Sequence, residues 1–379
     1  MPPVTPLRDT VDALCAFAPR SACHDPERRA ALWLHDDLRA RGHDAWLETV
    51  WVRPQWPASL ALHAVLGVAA SLASTAEAAV VPALAVAAVA LVSYALELTG
   101  YGGLLPRLFY RRATQLVVVE PPEPDAIALV ITANVDAPRR GLALREGVRR
   151  LGGRMRPGPL VWVALALAAV AAACGARVAG AEGTVMGALQ LVPTVVLLVA
   201  AAAALDVALA EVTPGASDCA SATATPLALH EELAARPPAR LSPSLVLAGA
   251  GELFPLAFRA HLRSERPAPA STVVLEIGPC GSGTPAWHTH HRQLAAAAAS
   301  VTEPAARRRR LNRPSAAGAA RGRGLPAIAV RAVDERGTVP RARTAADVPE
   351  AVEAAALEDT LDFCLAVVDA LDAELGVQT

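Results

Sequence analysis

The chain has 379 residues, of which 53% are hydrophobic and 19% charged, with a formal net charge of −1 and a mean hydropathy of +0.35. A charge balance this close to zero excludes a global field that draws nucleic acid or acidic partners. The length allows one large domain plus a small helical bundle. All 35 basic residues are Arg, which with the Ala and Pro excess reads as genome base composition rather than function. The six Cys are scattered, with no C-x-x-C, and read as free thiols in a reducing compartment.

Residues 1–56 form a polar block without a basic-then-apolar signal pattern. Helices are predicted over 7–17 and 26–41, the second with Asp25 as N-cap, Pro26 as first helical residue and Gly42 as its stop. A strand-like segment follows over 44–52.

Four apolar stretches come next, in two pairs: 57–76 with 78–98, and 159–179 with 187–210. A helix rises ~1.5 Å per residue, so ~20 apolar residues cross the ~30 Å hydrocarbon layer. They predict two transmembrane hairpins, over 57–98 and 158–210, that together form a four-helix bundle. Two buried hairpins of a soluble protein are the alternative. Arg53, Arg107, Arg111, Arg112, Arg149, Arg150, Arg154 and Arg156 flank the pairs, whereas the turns inside them hold only Arg177. The positive-inside bias then puts both termini and the polar segments in the cytoplasm, with the spans in a bilayer, the bacterial inner membrane. His63, Tyr94, Glu97 and Asp206 lie within or near the span ends. Glu97 and Asp206 are expected to snorkel to the interface, and Pro82 and Pro193 to kink their helices.

Between and after the pairs, strands are predicted over 115–120, 126–133, 244–249, 272–277 and 327–333, with helices over 220–235 and 349–375. The basic run 139–156 reads as a solvated, headgroup-facing loop and 303–324 as a mobile one. Short apolar strands alternating with helices argue for an α/β fold, a mixed sheet covered by helices on both faces. The polar segments 1–56, 99–157 and 211–379 are taken as one discontinuous domain.

Six motifs run through those polar segments. They are Ala18 to Leu34 (APRSACHDPERRAALWL), Asn134-Val135-Asp136, GASDCASAT from Gly215, Gly251-Glu252, Leu275-Glu276-Ile277-Gly278, and Arg343 to Val348 (RTAADV). In this order they resemble the di-zinc aminopeptidase family, of the aminopeptidase Y and bacterial leucyl aminopeptidase type. The resemblance covers nearly all of the chain outside the spans. It implies a two-zinc site that activates water and polarises a peptide carbonyl, with a carboxylate as proton acceptor. Asp218 matches the bridging Asp, Glu252 and Glu276 match metal-ligand positions, and Asp136 matches an outer carboxylate. Asn134 and Arg343 stand where the family has His ligands, and Gly251 stands at the general-base position.

Arg stays protonated and repels a dication. Arg343 is therefore expected to take the place of metal and to pair with Asp218 or Glu252, or Arg341 to do so under a two-residue slip. The expected protein is a catalytically impaired, membrane-held binding or scaffold subunit. It needs no cofactor and holds a peptide or a partner protein in the old cleft. The alternative is a membrane-bound zinc metallopeptidase, its zinc held by Asp218, Glu252 and Glu276 with one of His288, His290 or His291 swung in from a His-rich loop. A transport component using the bundle is a third, weaker reading.

Overall fold

The computed structural model describes residues 7–100, 102–123, 126–145, 147–148, 151, 155, 157–310 and 314–377. Arg149, Arg150, Arg154 and Arg156, part of the charge argument above, lie outside them. The chain divides into two compact units, one of Met1–Pro54, Arg112–Arg140 and Val212–Thr379, the other of Gln55–Arg111 and Gly141–Glu211.

The first unit begins with α1 (Leu7–Cys15), α2 (Asp25–Ala40) and β1 (Ala45–Val52). The second unit is built on α3 (Trp56–Ala73) and α4 (Val80–Thr99), which precede β2 (Arg112–Val119) and β3 (Ile127–Asn134) of the first, and on α5 (Pro159–Val178) and α6 (Thr184–Leu209). The first unit then resumes with α7 (Ser221–Ala235), β4 (Leu241–Ala248), α8 (Leu256–Glu265), β5 (Thr272–Ile277), β6 (Thr284–Thr289), α9 (Arg292–Ser300), β7 (Arg307–Arg308), α10 (Ala316–Arg321), β8 (Ala327–Val333) and α11 (Ala354–Val377).

The eight strands form one sheet in the order β1-β2-β4-β3-β5-β8-β6-β7. The central four, β4, β3, β5 and β8, are mutually parallel, while β2 and β6 join antiparallel on either side. Strand side chains alternate between faces. Leu245 and Leu247 of β4 therefore pack with Leu34, Leu227 and Phe363 under α2, α7 and α11, whereas Val246 and Ala248 pack with Phe258 and Ala320 under α8 and α10. Both faces are covered, which is why the central strands read as largely apolar runs without strict alternation.

Several local expectations need correction. α2 starts at Asp25 with His24 at the N-cap, and the Asp25 carboxylate pairs with Arg28 and Arg29 instead of capping. The presumed mobile stretch 303–324 contains β7 and α10, and the presumed His-rich loop lies largely on β6. Both were hidden because outward-facing His and Arg dilute the apolar alternation of an edge strand.

In the second unit four helices are long and apolar enough to cross a membrane, with only 28% of the apolar window of α4 and of α6 buried inside. Small residues line the seam, among them Ala64, Ala70, Ala83, Ala87 and Ala90, and let the helices approach closely. A Cβ built on Gly67 would meet the side-chain ends of Leu167 and Leu197, each at 2.7 Å, so a larger residue there would make both leucines shift. The outward face is apolar too, with Val81, Val92, Leu189, Val192 and Leu198 all exposed.

Several polar groups inside this unit are paired, whereas Gln55 Oε1 is buried without a hydrogen-bond partner among the described residues. His63 is held between the Ser59 carbonyl (2.7 Å) and Ser93 Oγ (2.9 Å), and Arg177 donates to Gln190 (2.9 Å). Glu97 accepts from Ser59 Oγ at 2.8 Å. Asp206 accepts the Ala143 amide at 3.3 Å. Pro82 is too close to the start of α4 to kink it, whereas Pro193 lies within α6.

Candidate functional site

The carboxyl ends of the central parallel strands converge, where open α/β sheets place their sites. Asn134 ends β3, Gly251 and Glu252 follow β4, Glu276 is near the end of β5, and Arg331 is on β8. Asp218 arrives on a π-turn, Ala216–Ala220, that leads into α7. Gly215 opens the turn at φ 69°, where an added Cβ would meet Cys219 Sγ at 2.6 Å, so only glycine suits. Arg343 comes from the loop before α11 and is itself left-handed, at φ 63°.

Asn134, Asp136, Asp218, Gly251, Glu252, Glu276 and Arg331 are among the residues that line a cavity of about 40 Å³, with no histidine among its lining residues. That volume takes a water molecule or one small ion, whereas drug-sized ligands occupy roughly 300 Å³ or more.

Arg343 is 5% exposed. Its Nε lies 3.9 Å from Asp218 Oδ2, and another guanidinium nitrogen donates to the Glu252 main-chain carbonyl. The Glu252 carboxylate is held elsewhere: its Oε1 accepts the Arg139 amide at 2.7 Å and its Oε2 the Arg139 guanidinium at 3.0 Å. Arg139 therefore points into the site and not at headgroups. Arg341 is not the neighbour of Asp218; its guanidinium reaches the Ala351 carbonyl (2.6 Å) and Glu353 (3.4 Å). Glu276 Oε2 accepts the Ala317 amide at 2.8 Å.

Gly251, which the resemblance sets at the general-base position, donates its amide to Asp136 Oδ1 at 2.6 Å. Its carbonyl accepts from Asn134 Nδ2 at 3.3 Å, and a Cβ built on Gly251 would overlap the Asn134 side-chain amide. The Asn134 amide thus sits where a side chain from 251 would have to pass.

The acids are deeply buried. Burial, then the adjacent Asp218 charge, pushes the Asp347 carboxyl up to about 7, although the amides of Ser217 and Asp218 and the charge of Arg20 oppose the rise. Burial and the mutual proximity of Glu27 and Asp136 push Glu27 upward, and burial dominates for Asp136. Glu27 accepts from the Cys23 amide (2.7 Å), the Ala250 amide (2.7 Å) and Thr114 Oγ1 (3.0 Å), so it holds the post-β4 loop in place. Among the described residues, Asp136 Oδ2 and Asp347 Oδ2 have no hydrogen-bond partner.

A pH dependence follows from Asp347. Its folded pKa of about 7 exceeds the ~3.9 of an unfolded Asp, so the folded state holds more protons between these values and stability falls as pH rises through about 7. The thermal midpoint should drop between about pH 5 and pH 8. Asp347→Asn, which keeps the acceptor for the Ser217 amide at 2.5 Å, should flatten that slope. An unchanged slope in the variant would remove Asp347 as its cause.

Zinc, which the family resemblance implies, can be tested against these donors. A two-zinc site wants imidazole and carboxylate donors around each ion. Here an amide and a guanidinium replace the imidazoles, and Arg139 engages both Glu252 oxygens. Among the described residues no three His, Cys, Asp or Glu side chains are placed to hold one ion. The donor set does not fit a pair of dications. His288 on β6 and His290 just beyond it contact each other (3.1 Å between Nε2 atoms).

Four charged residues of the site had no role assigned from sequence. Arg20, fully buried, donates to the carbonyls of Leu14 and Val135 and to Cys219 Sγ (3.1 Å). Arg139 and Arg331 supply two further guanidinium groups, and Asp347 a further acid. An Arg inside the apolar run AIAVRAV was the available signal, since a buried charge needs a partner.

No family model matches the sequence, and no curated protein matches it. Solved structures do. A glutaminyl cyclase from Bacteroides thetaiotaomicron superposes with a TM-score of 0.56 at 10% identity, covering 96% of each chain. A zinc aminopeptidase from Bacillus subtilis gives 0.55 at 10% identity, over 98% of this chain and 96% of that one. A leucine aminopeptidase precursor from Bacteroides thetaiotaomicron gives 0.54 at 10% identity, over 97% of both. At such identities the likeness shows the fold alone: a mixed eight-stranded sheet flanked by helices, as in the zinc aminopeptidases and glutaminyl cyclases.

Proposed function

We propose that this chain is a membrane-embedded, non-hydrolytic relative of the zinc exopeptidases that serves as a binding or scaffold subunit. The observation that carries the reading is Arg343, set between Asp218 and the Glu252 carbonyl while Arg139 holds the Glu252 carboxylate. A fixed monovalent cation there neutralises the acids without activating water, because a guanidinium has no open coordination position and stays protonated. Gly251 supplies no proton acceptor, and the Asn134 amide fills the space beside it. Four helices with apolar outer faces support insertion in a bilayer, the bacterial inner membrane. An even number of crossings returns the chain to its starting side, and the Arg bias makes that side the cytoplasm.

The test is hydrolysis and cyclisation by the full chain in nanodiscs with zinc supplied. No release of amino acids from aminoacyl amides and no cyclisation of N-terminal glutamine is expected. Zinc-dependent turnover that Asp218→Ala abolishes would establish a membrane-bound zinc peptidase in its place.

A further inference from the structure

A second cluster of charge lies at the far edge of the sheet and is independent of the reading above. β7 pairs with β6 so that Trp287 is opposite Arg308, and the Arg309 amide donates to the Trp287 carbonyl at 2.9 Å. The Arg308 guanidinium is 5.5 Å from the Trp287 ring centroid, a cation–π contact that orders it. His288 and His290, two apart in extended chain, share a face. Their Nε2 atoms are 3.1 Å apart and their rings meet edge to face. Burial comes first in pushing His288 down to about 4, followed by its neighbour His290 and the charges of Arg321, Arg308 and Arg310. His290 moves the same way, for burial and the same three charges.

The chain has 36 acidic residues. Yet none forms an ion pair with Arg307, Arg308, Arg310 or Arg321 among the described residues, and Arg309 reaches only the Glu335 carbonyl. The cluster is a set of cations whose charges act on two imidazoles, with no ion-pairing acid among the described residues.

We propose that His288, His290, Arg308, Arg310 and Arg321 form a binding site for a phosphate-bearing anion. The sign of the local charge decides between the two ligands a His pair could take. Two neutral imidazoles on one face could chelate a divalent metal. The charges of Arg308, Arg310 and Arg321, which act on both imidazoles, oppose a dication. The same terms favour an anion. Arg presents a planar fork of donors that matches phosphate oxygens, and an imidazole N–H adds to it. Either a lipid headgroup or a soluble phosphate compound would supply the group.

The experiment uses the full chain in phosphatidylcholine nanodiscs with inorganic pyrophosphate as probe, read by calorimetry and by the histidine NMR resonances. Saturable binding that shifts His288 and His290 is expected. The double variant Arg308→Gln/Arg310→Gln should weaken it by about tenfold or more, while Arg307→Gln, on the alternate side of the strand, should leave it unchanged. Capture of the nanodiscs by vesicles of phosphatidylcholine with phosphatidylglycerol, competed by pyrophosphate, would identify a headgroup as the source. Pyrophosphate binding without such capture would identify a soluble compound. The proposal is overturned if neither probe binds, if the double variant binds pyrophosphate as the native chain does, or if zinc or nickel moves the two resonances and pyrophosphate does not.

Discussion

Replacing Arg343 with Met is expected to destabilise the sheet-bearing unit by roughly 3–5 kcal/mol, the usual cost of removing one partner from a buried charge network. Met at 343 carries the same left-handed backbone demand as Arg, so the comparison isolates the guanidinium. Its loss exposes Asp218 to the repulsion of Asp347, whose carboxyl already feels that charge. Arg343→Lys should recover only part of the loss, since a point charge cannot serve both Asp218 and the Glu252 carbonyl. Adding Asp218→Asn to Arg343→Met should recover more, because it removes the stranded charge. Denaturant unfolding of the native chain, Arg343→Met, Asp218→Asn and the pair of substitutions together gives the double-mutant cycle. A neutral Arg343→Met, or a cycle with no coupling, would mean that the guanidinium is not the counter-ion of this site.

Gly251→Glu carries the second large effect. It restores a carboxylate at the general-base position, yet a loss of about 3 kcal/mol or more is expected, from overpacking plus an uncompensated buried charge. The new Cβ overlaps the Asn134 amide, and its carboxylate joins Glu27 and Asp136, whose protonation is already favoured by burial. Asn134→Ala in the same chain should relieve the overlap and return part of the stability, without hydrolysis. A Gly251→Glu protein as stable as the parent would show that the pocket still has room for the base.

What the sequence disclosed follows how strongly burial constrains a segment. The strand boundaries 272–277 and 327–333 match β5 and β8 because both are covered on two faces and are largely apolar. The long apolar helices stood out by length alone. Edge elements did not: β6 and β7 carry His and Arg outward, and α8 and α10 are short and mixed. The site was half visible. Asp218, Glu252 and Arg343 could be placed together from motif order, although they are far apart in the chain. That Arg139 would claim the Glu252 carboxylate, leaving Arg343 its main-chain carbonyl, depends on loop geometry with no periodic signal. Arg20 was equally hidden, because its partners are backbone carbonyls and a thiol, which no sequence pattern marks.

The central claim is that a guanidinium does here what divalent ions do in the zinc exopeptidases, and metal stoichiometry tests it most directly. The full chain, incubated with excess zinc, freed of loose metal by gel filtration and assayed by mass spectrometry of the metal against protein, should carry well under one zinc per chain, with the Asp218→Ala variant no different. Two zinc ions per native chain, lost in Asp218→Ala, would contradict it.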